Sequence, residues 1–350
     1  MLGWMIYGAS GYTGDLIARE AKKRGMHPTL AGRSRAKMEA LSRELQLPFR
    51  SFQLQDRMEI ERELEGFRLV LNCAGPFSAT AKPMIEGCLK KGVHYLDITG
   101  EIEVFEFSQG LGEPARQAGV VLCPGVGFDV IPTDCLAAAL KAALPDATYL
   151  ALGFDSRSGI SPGTAKTMVE GLAQGGKVRH DGRIVSVPPA YRTRRIDFGD
   201  GEKLAMTIPW GDVATAWYST GIPNIEVYVP APESGVRIMW MAGGLTGALR
   251  LPFVQILLKK LVEKFIKGPD EQARDRLQSF VWGEVRNAKG KTKTARIVTA
   301  SGYSLTVSGA LLAVEKLLNM QVEGGSYTPS RLFGKQMVSQ LPGSGAIVVA

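Results

Sequence analysis

Short apolar runs and amphipathic runs follow one another along roughly the first 130 residues. Met5–Tyr7 is an apolar strand that enters a glycine-rich loop, and Asp15–Ala21 has helical spacing. Further apolar runs, each followed by a polar or helix-like stretch, begin near residues 28, 49, 67, 93 and 120. Strands that alternate with helices predict an α/β domain with a doubly wound parallel sheet.

The second half of the chain has a different pattern. From Lys177 to Pro230 it consists of short strands and turns, and Val281 to Ser308 predicts antiparallel strands around a basic turn. We therefore expect a second, α+β domain on a mixed or antiparallel sheet, which would cover the ligand crevice or build a homodimer interface. The predicted boundaries are 1–135 for the nucleotide-binding domain, 136–322 for the substrate and dimerisation domain, and 323–350 for a C-terminal tail.

The loop between the first strand and the first helix has the spacing G-x-x-G-x-x-G, with Gly8, Gly11 and Gly14. These glycines suit a tight turn, close approach of the backbone to phosphates, and close helix packing. A helix N-terminus also presents N–H groups and a positive dipole end to a pyrophosphate. The predicted cofactor contacts in this loop are Gly8, Ser10, Gly11, Tyr12, Thr13 and Gly14.

The end of the second strand indicates which nucleotide binds. An acidic residue there would bond the ribose 2′-hydroxyl of NAD, but the chain has Arg33 and Ser34. A guanidinium and a hydroxyl suit a 2′-phosphate, so we predict NADP(H) as the cofactor. The alternative is that these polar residues simply open the next helix.

Two later strand ends should also lie along the cofactor, because the carboxyl ends of parallel strands face the crevice. The first is the Asn72–Phe77 turn near the nicotinamide half, although a plain strand-to-helix turn would give the same pattern. The second contains Gly127 and Phe128. The predicted contacts are Asn72, Cys73, Ala74, Gly75, Pro76, Phe77, Gly127 and Phe128. Between these ends, Asp97 and Glu101 could be capping or crevice groups.

Composition narrows the class of protein. The 350 residues are 45% hydrophobic and 22% charged, which indicates a globular chain of two domains. The net charge of +8 suits an anionic cofactor, a carrier-linked substrate or an acidic membrane surface. Its basic residues are dispersed, so we expect no nucleic-acid partner. The cysteines and histidines have no metal-like spacing, and we predict no metal site.

Two features bear on location. The N-terminus enters a strand within a few residues and has no basic segment or cleavage site, so we expect a cytoplasmic protein. Residues 236–267 combine an uncharged run with a helix-spaced apolar stripe and a basic face. This segment either covers the sheet of the second domain, or contacts a membrane peripherally or lines the entry for an acyl chain.

The strings YGASGYTG, LAGRS, NCAGPF, YLDITGE and PGVGFDVIPTD, in this order, resemble the saccharopine dehydrogenase-like superfamily. They look most like its branch of trans-acting enoyl reductases and saccharopine dehydrogenase-like oxidoreductases. The resemblance is specific over residues 1 to about 140. It implies an N-terminal Rossmann domain, a second α/β domain, NAD(P)H-linked reduction, and a C-terminal tail that returns to the Rossmann domain.

These observations predict an NADPH-dependent enoyl reductase that acts on an α,β-unsaturated acyl or polyketide-like substrate, small or carrier-linked. The candidate catalytic groups are Asp129, Lys166 and Tyr191, which could supply a proton or bind the developing enolate. One alternative is a saccharopine-type enzyme that reduces an imine, although we identify no set of arginines for an amino diacid. Another is a non-catalytic NADP(H)-binding protein on a membrane surface.

Overall fold

The computed structural model describes residues 3–157, 175–243, 254 and 277–350. These residues form two compact units. The first unit comprises Met1–Ile131 and Leu305–Gly334, and the second comprises Pro132–Ser304 and Lys335–Ala350. Thus the chain from residue 305 contributes first to one unit and then to the other.

The described part of the first unit is built on a parallel sheet of seven strands in the order β15-β6-β5-β4-β1-β2-β3. Three of its central strands are buried along their whole length, which explains their continuous apolar sequence. The strands are β1 Trp4–Tyr7, β2 Thr29–Gly32, β3 Phe49–Ser51, β4 Leu69–Asn72, β5 His94–Asp97, β6 Val121–Cys123 and β15 Gly325–Ser326.

Helices connect these strands, as a parallel sheet requires. They are α1 Tyr12–Lys23, α2 Arg35–Leu45, α3 Arg57–Leu64, α4 Phe77–Lys91, α5 Ile102–Gly110 and α6 Gly112–Gln117. The late helices α10 Gly302–Asn319 and α11 Pro329–Phe333 lie on either side of β15 in the chain. Buried apolar residues of α3, α4 and the strands, such as Ile60, Met84 and Val70, form one hydrophobic core.

The second unit has a mixed sheet. Its described strands follow the order β10-β11-β12-β7-β13-β14-β16, and β8 joins β12 to β9. Within this sheet β12 and β7 are parallel, whereas β13 pairs with β7 and β14 in antiparallel fashion. The strands are β7 Ala147–Ser156, β8 Gly176–His180, β9 Arg183–Val187, β10 Thr193–Asp197, β11 Glu202–Thr207, β12 Asn224–Pro230, β13 Gln278–Asn287, β14 Thr292–Ala300 and β16 Val348–Val349.

The two faces of this sheet have different surroundings. Helix α7 Ile131–Ala143 packs on one face, where a Cβ at Gly283 would lie 2.8 Å from a methyl carbon of Leu140. On the other face, aromatic and aliphatic side chains form a second core that includes Phe198, Tyr228 and Trp282. The remaining described helices of this unit are α8 Asp212–Thr220, α9 Glu233–Gly243 and a 3₁₀ turn at Val338–Gln340.

The fold class predicted from the sequence is confirmed: a parallel sheet with helices is followed by a mixed-sheet domain. Individual elements differ from the expectation. Helix α4 begins at Phe77, so this residue belongs to the first helical turn. The sequence pattern does not predict helices α5 and α8, which the structure contains. In the described residues, no helix is long and apolar enough to cross a bilayer.

Candidate cofactor-binding site

The glycine loop after β1 is held close to its neighbours. Gly8 has a φ of +83°, and a Cβ there would lie 2.7 Å from the backbone nitrogen of Ala74. At Gly14 a Cβ would lie 2.3 Å from the Gly8 carbonyl oxygen. The Gly11 amide donates to that same oxygen at 2.9 Å. Because contacts under 3 Å leave no room for a side chain, the structure requires glycine at positions 8 and 14.

Helix α1 starts directly after this loop. Its N-cap is Gly11, which has no side chain to accept the N–H groups of the first turn. Ser10 and Gly11 are exposed, and Tyr12 and Thr13 are half-buried. The loop thus combines an accessible backbone with a positive helix end, an arrangement that suits a dinucleotide pyrophosphate.

Arg33 and Ser34 follow β2. Arg33 is exposed, and within the described part of the chain its guanidinium has no hydrogen bond or ion pair. Burial raises the pKa of Tyr7 to about 12, and the charge of nearby Arg33 opposes this shift. Ser34 is the N-cap of α2 but makes no capping bond with its side chain, and the first turn of α2 has no acidic residue. A guanidinium and a hydroxyl without protein partners suit a 2′-phosphate.

The turn after β4 is fixed by Asn72, which is fully buried. Its side-chain Nδ2 donates to Thr80 Oγ1 and to the Tyr95 hydroxyl, each at 3.2 Å, and its Oδ1 accepts the Ala74 amide at 3.0 Å. The Cys73 amide donates to the Tyr7 carbonyl at 2.7 Å, which ties the turn to the end of β1. Cys73 itself is buried, and burial raises the pKa of its thiol. The turn is therefore held rigidly beside the glycine loop.

Asp97 extends this network to two more strand ends. Its Oδ2 accepts the Tyr95 hydroxyl at 2.7 Å, and its Oδ1 accepts the amides of Thr99 and Gly125 at 3.0 and 2.8 Å. Burial raises the pKa of Asp97 to about 6. One carboxyl group thus connects the segments that follow β4, β5 and β6. The sequence pointed to Asp97 but not to Tyr95, although both lie on one face of β5.

Glu101 has a separate structural role. Its carboxylate accepts the amides of Phe77 and Ser78 at 2.9 and 2.6 Å, at the start of α4. The N-cap of this helix, Pro76, has no group that could do so. A carboxylate at a helix N-terminus is favourable because it satisfies N–H groups and complements the helix dipole. The protein's own anion therefore satisfies this helix end.

The segment after β6 carries Gly127, Phe128 and Asp129. The Phe128 amide donates to Thr306 Oγ1 at 3.0 Å, and a Cβ at Gly127 would lie 3.0 Å from the methyl group of Thr306. Thr306 lies far along the chain, and nothing in the sequence indicates this contact. A Cβ at Gly100 would lie 2.9 Å from Asp129 Oδ2, and burial raises the pKa of Asp129 to about 7.

The three predicted catalytic side chains belong to different parts of the chain. Asp129 is in the first unit, and Tyr191 is in the second, where it is 42% exposed just before β10. Lys166 lies outside the described residues. In contrast, the structure brings the predicted cofactor contacts of β1, β4 and the glycine loop together, since Gly8 contacts Ala74 and Cys73 bonds to Tyr7.

Comparison with known sequences places these features in a family context. Residues 4–123 match the saccharopine dehydrogenase NADP-binding domain. The human saccharopine dehydrogenase-like oxidoreductase is 29% identical over 37% of this chain and 35% of its own length. The trans-acting enoyl reductase of Mycobacterium tuberculosis is 26% identical over 98% of this chain and 96% of its own. This chain thus spans about a third of the human relative's length.

A solved structure supports the fold independently. Saccharopine dehydrogenase (L-Glu forming) from Saccharomyces cerevisiae matches with a TM-score of 0.65 at 10% sequence identity, and the match covers 100% of both chains. At this identity the likeness shows a shared fold and nothing about the substrate. Together, the sequence match and the fold assign the residues around Gly8, Gly14 and Arg33 to an NADP-binding domain.

Proposed function

We propose that this chain is an NADPH-dependent oxidoreductase of the saccharopine dehydrogenase-like superfamily. The observation that carries the proposal is the glycine cradle at Gly8 and Gly14 together with Arg33, which has no partner among the described residues, within a matched NADP-binding domain. NADPH, when bound, supplies a hydride to an electrophilic carbon of the substrate. The loop after β1 would hold its pyrophosphate, and Arg33 with Ser34 its 2′-phosphate.

For the substrate we propose an α,β-unsaturated acyl compound, small or carrier-linked. The support is that the relative named as an enoyl reductase aligns along nearly the whole chain, whereas the human oxidoreductase aligns over 37% of it. In such a reaction the β-carbon receives the hydride and the α-carbon receives a proton, so the double bond becomes a single bond and NADP⁺ is released.

Asp129 is our candidate for the proton donor. Its pKa, raised by burial to about 7, would keep a large fraction of the carboxyl protonated at neutral pH. An acid with a pKa near the operating pH both donates a proton and recovers one readily. Asp129→Asn should therefore remove the alkaline limb of the pH profile of kcat and lower kcat, while NADPH binding remains unchanged.

The direct test measures NADPH oxidation by the purified protein. One reaction contains a short enoyl thioester, and a second contains an amino acid with an aldehyde. We expect oxidation of NADPH, in preference to NADH, with the thioester. Arg33→Ala should reduce the NADPH preference without blocking turnover at high cofactor concentration. If the thioester gives no turnover while NADPH binds, the enoyl reductase proposal is wrong.

The second reaction tests an alternative, the reduction of an imine, which is favoured by the family of the matched domain. Turnover with amino acid plus aldehyde, and not with the thioester, would establish a saccharopine-type activity. The two substrates require different groups: an imine of an amino acid brings carboxylates that need cations, whereas an enoyl thioester needs donors at one carbonyl oxygen.

One structural feature favours a third function, that of an NADP(H)-binding protein on a membrane surface. Helix α9 exposes Ile238, Trp240 and Met241, at 60%, 57% and 66% of their surfaces. Exposed apolar side chains of this kind bind the lipid interface. The intact protein should then float with anionic vesicles, and Met241→Glu should abolish flotation. Met58→Glu, at a methionine of the first unit that is 80% exposed, is the control. Without flotation of the intact protein this function is excluded.

A further inference from the structure

The second unit contains a pocket of about 510 Å³ whose lining comes from β7, β8, β9, β12, the Tyr191–Arg192 segment, the end of β13 and the turn that follows it. We propose that this pocket binds the oxyanion group of a small molecule, a carboxylate or a phosphate, between Arg192 and Arg286. The volume is in the range of small-molecule sites. The proposal does not depend on the reaction proposed above.

The base of the pocket is a buried charged cluster. Glu226 is 4% exposed, and its Oε2 accepts the hydroxyl groups of Tyr149 and Tyr228, each at 2.5 Å. Its Oε1 accepts Arg192 Nη1 at 2.7 Å. The charge of Glu226 is therefore fully satisfied from within the protein. It fixes the positions of Tyr149 and Arg192, which both line the pocket.

Each of the two arginines packs on an aromatic ring. The Arg286 guanidinium carbon lies 5.1 Å from the centre of the Tyr149 ring, and that of Arg192 lies 5.2 Å from the Tyr191 ring. Stacking fixes the plane of a guanidinium but leaves the N–H groups at its edge available. Such an ordered edge matches the two oxygens of a carboxylate or phosphate.

Arg286 differs from the other two arginines of the pocket. It is exposed, and within the described residues no carboxylate lies within ion-pair distance of it. Arg192, in contrast, uses one nitrogen for Glu226 and remains 54% exposed. Arg179 also lines the pocket, but two of its nitrogens already donate to the carbonyl oxygens of Val213 and Gly182. An anion in the pocket therefore has Arg286 as its main partner.

The turn that directly follows Arg286 is rigid. Asn287 Oδ1 accepts the amides of Lys289 and Lys291 at 3.1 and 2.9 Å, and its Nδ2 donates to Asp146 Oδ2 at 2.9 Å. Arg286 is therefore anchored on both sides, by the ring of Tyr149 and by the bonded turn. A preorganised cation loses little conformational freedom when it binds a ligand, which favours a specific site over diffuse attraction.

The test is calorimetric titration of the full chain with inorganic phosphate and, separately, with succinate at constant ionic strength. It uses the Arg33→Ala background, because Arg33 is itself expected to bind phosphate. We expect saturable binding of one anion, whose identity distinguishes a phosphate from a carboxylate site. Since a hydrogen bond to a charged group contributes about 1.5–3 kcal/mol, Arg286→Gln should weaken this binding by about tenfold or more.

Lys289→Gln is the matched control, since it removes the same charge from the same turn outside the pocket lining. It should change the affinity less than about twofold, as expected for an exposed charge. Arg286→Lys, which keeps the charge but loses the planar fork, should also weaken binding. Equal losses in Arg286→Gln and Lys289→Gln would show diffuse attraction and overturn the proposal. The absence of saturable binding for both anions would also overturn it. Circular dichroism, and NADPH binding equal to that of the Arg33→Ala background, establish that each variant is folded.

Discussion

Charged side chains in the two units are held in different ways. In the first unit, Arg33 is exposed at the end of β2 and has no partner among the described residues. In the second unit, Arg194 forms two hydrogen bonds with Glu284, at 3.1 and 3.2 Å, and lies over the rings of Tyr228 and Trp282. The comparison separates an arginine that is available to a ligand from one that holds strands together.

Asp97 and Glu226, one buried carboxyl group from each unit, show a similar contrast. Asp97 accepts hydrogen bonds from neutral donors, namely two amides and the Tyr95 hydroxyl, and burial raises its pKa to about 6. Glu226 of the second unit accepts a guanidinium as well as two hydroxyl groups. Where the structure provides no cation, ionisation is costly. We therefore expect the first unit to respond to changes in pH and in cofactor, and the Arg194–Glu284 pair of the second unit to affect mainly stability.

The largest effect is expected at the loop that defines the first unit. In Gly14→Ala, the new Cβ would lie 2.3 Å from the Gly8 carbonyl oxygen, which is backbone and cannot move aside easily. Overpacking costs about 1–3 kcal/mol. If this cost reduces the free energy of NADPH binding, the affinity for NADPH falls by up to roughly 100-fold. Fluorescence titration with NADPH measures this change.

Gly110→Ala is the control for the glycine loop, because a Cβ at Gly110 meets nothing within 4 Å. It should bind NADPH as the wild type does. Wild-type affinity in Gly14→Ala would mean that the pyrophosphate does not lie at this loop.

The second effect concerns Asp97 and pH. Its pKa rises from 3.8 to about 6 on folding, so the protonated form is favoured in the folded state. The stability from this shift is complete below about pH 4 and is lost as the pH rises through about 6. Relative to Asp97→Asn, the wild type should therefore lose about 3 kcal/mol of unfolding free energy between about pH 4 and pH 8. Urea unfolding at both pH values measures the difference.

Tyr95→Phe is the companion variant for Asp97. It removes the hydroxyl that donates to the ionised carboxyl, so the pKa of Asp97 should rise further. If the difference in unfolding free energy between the wild type and Asp97→Asn does not change with pH, the pKa shift does not belong to Asp97.

The third prediction tests Arg33 directly. Arg33→Ala should weaken NADPH binding by about tenfold, because charged hydrogen bonds to a phosphate are lost, while NADH binding stays the same. Its unfolding free energy should not change, since Arg33 has no partner among the described residues. Arg35→Ala, which removes a cation from over the Phe49 ring, is the matched control. An equal loss of NADPH affinity in both variants would exclude a specific 2′-phosphate contact at Arg33.

The smallest effect is expected for the paired arginine of the second unit. Arg194→Met should lower the free energy of unfolding by about 1 kcal/mol, because a partly exposed ion pair contributes little. NADPH binding should be unchanged. If Arg194→Met loses NADPH affinity without losing stability, Arg194 has a role in ligand binding and the contrast with Arg33 is wrong. Thermal and urea unfolding, together with the NADPH titration, provide the two measurements.

Local sequence was sufficient for the elements that depend on neighbours in the chain. The predicted strand at Met5–Tyr7 and helix at Asp15–Ala21 lie within the observed β1 and α1, and the structure shows why glycine is needed at positions 8 and 14. Helix α5 was not predicted, although it follows β5 almost directly. The apolar residues of the Ile102–Gly110 segment show little helical periodicity, so the sequence pattern does not predict this helix.

The sequence by itself determined the order of strands and helices, the glycine cradle and the replacement of an acid by Arg33 and Ser34. These features depend on residues that are close together in the chain, so the sequence pattern is sufficient to identify them. Only the tertiary structure decided that Asp97 joins Tyr95 and Gly125, and that Thr306 holds Phe128. It also decided that Arg194 pairs with Glu284, whereas Arg286 has no ion-pair partner among the described residues. Most of these contacts join residues that are distant in the sequence. Whether a side chain finds a hydrogen-bond or ion-pair partner therefore depends on which residues folding brings together.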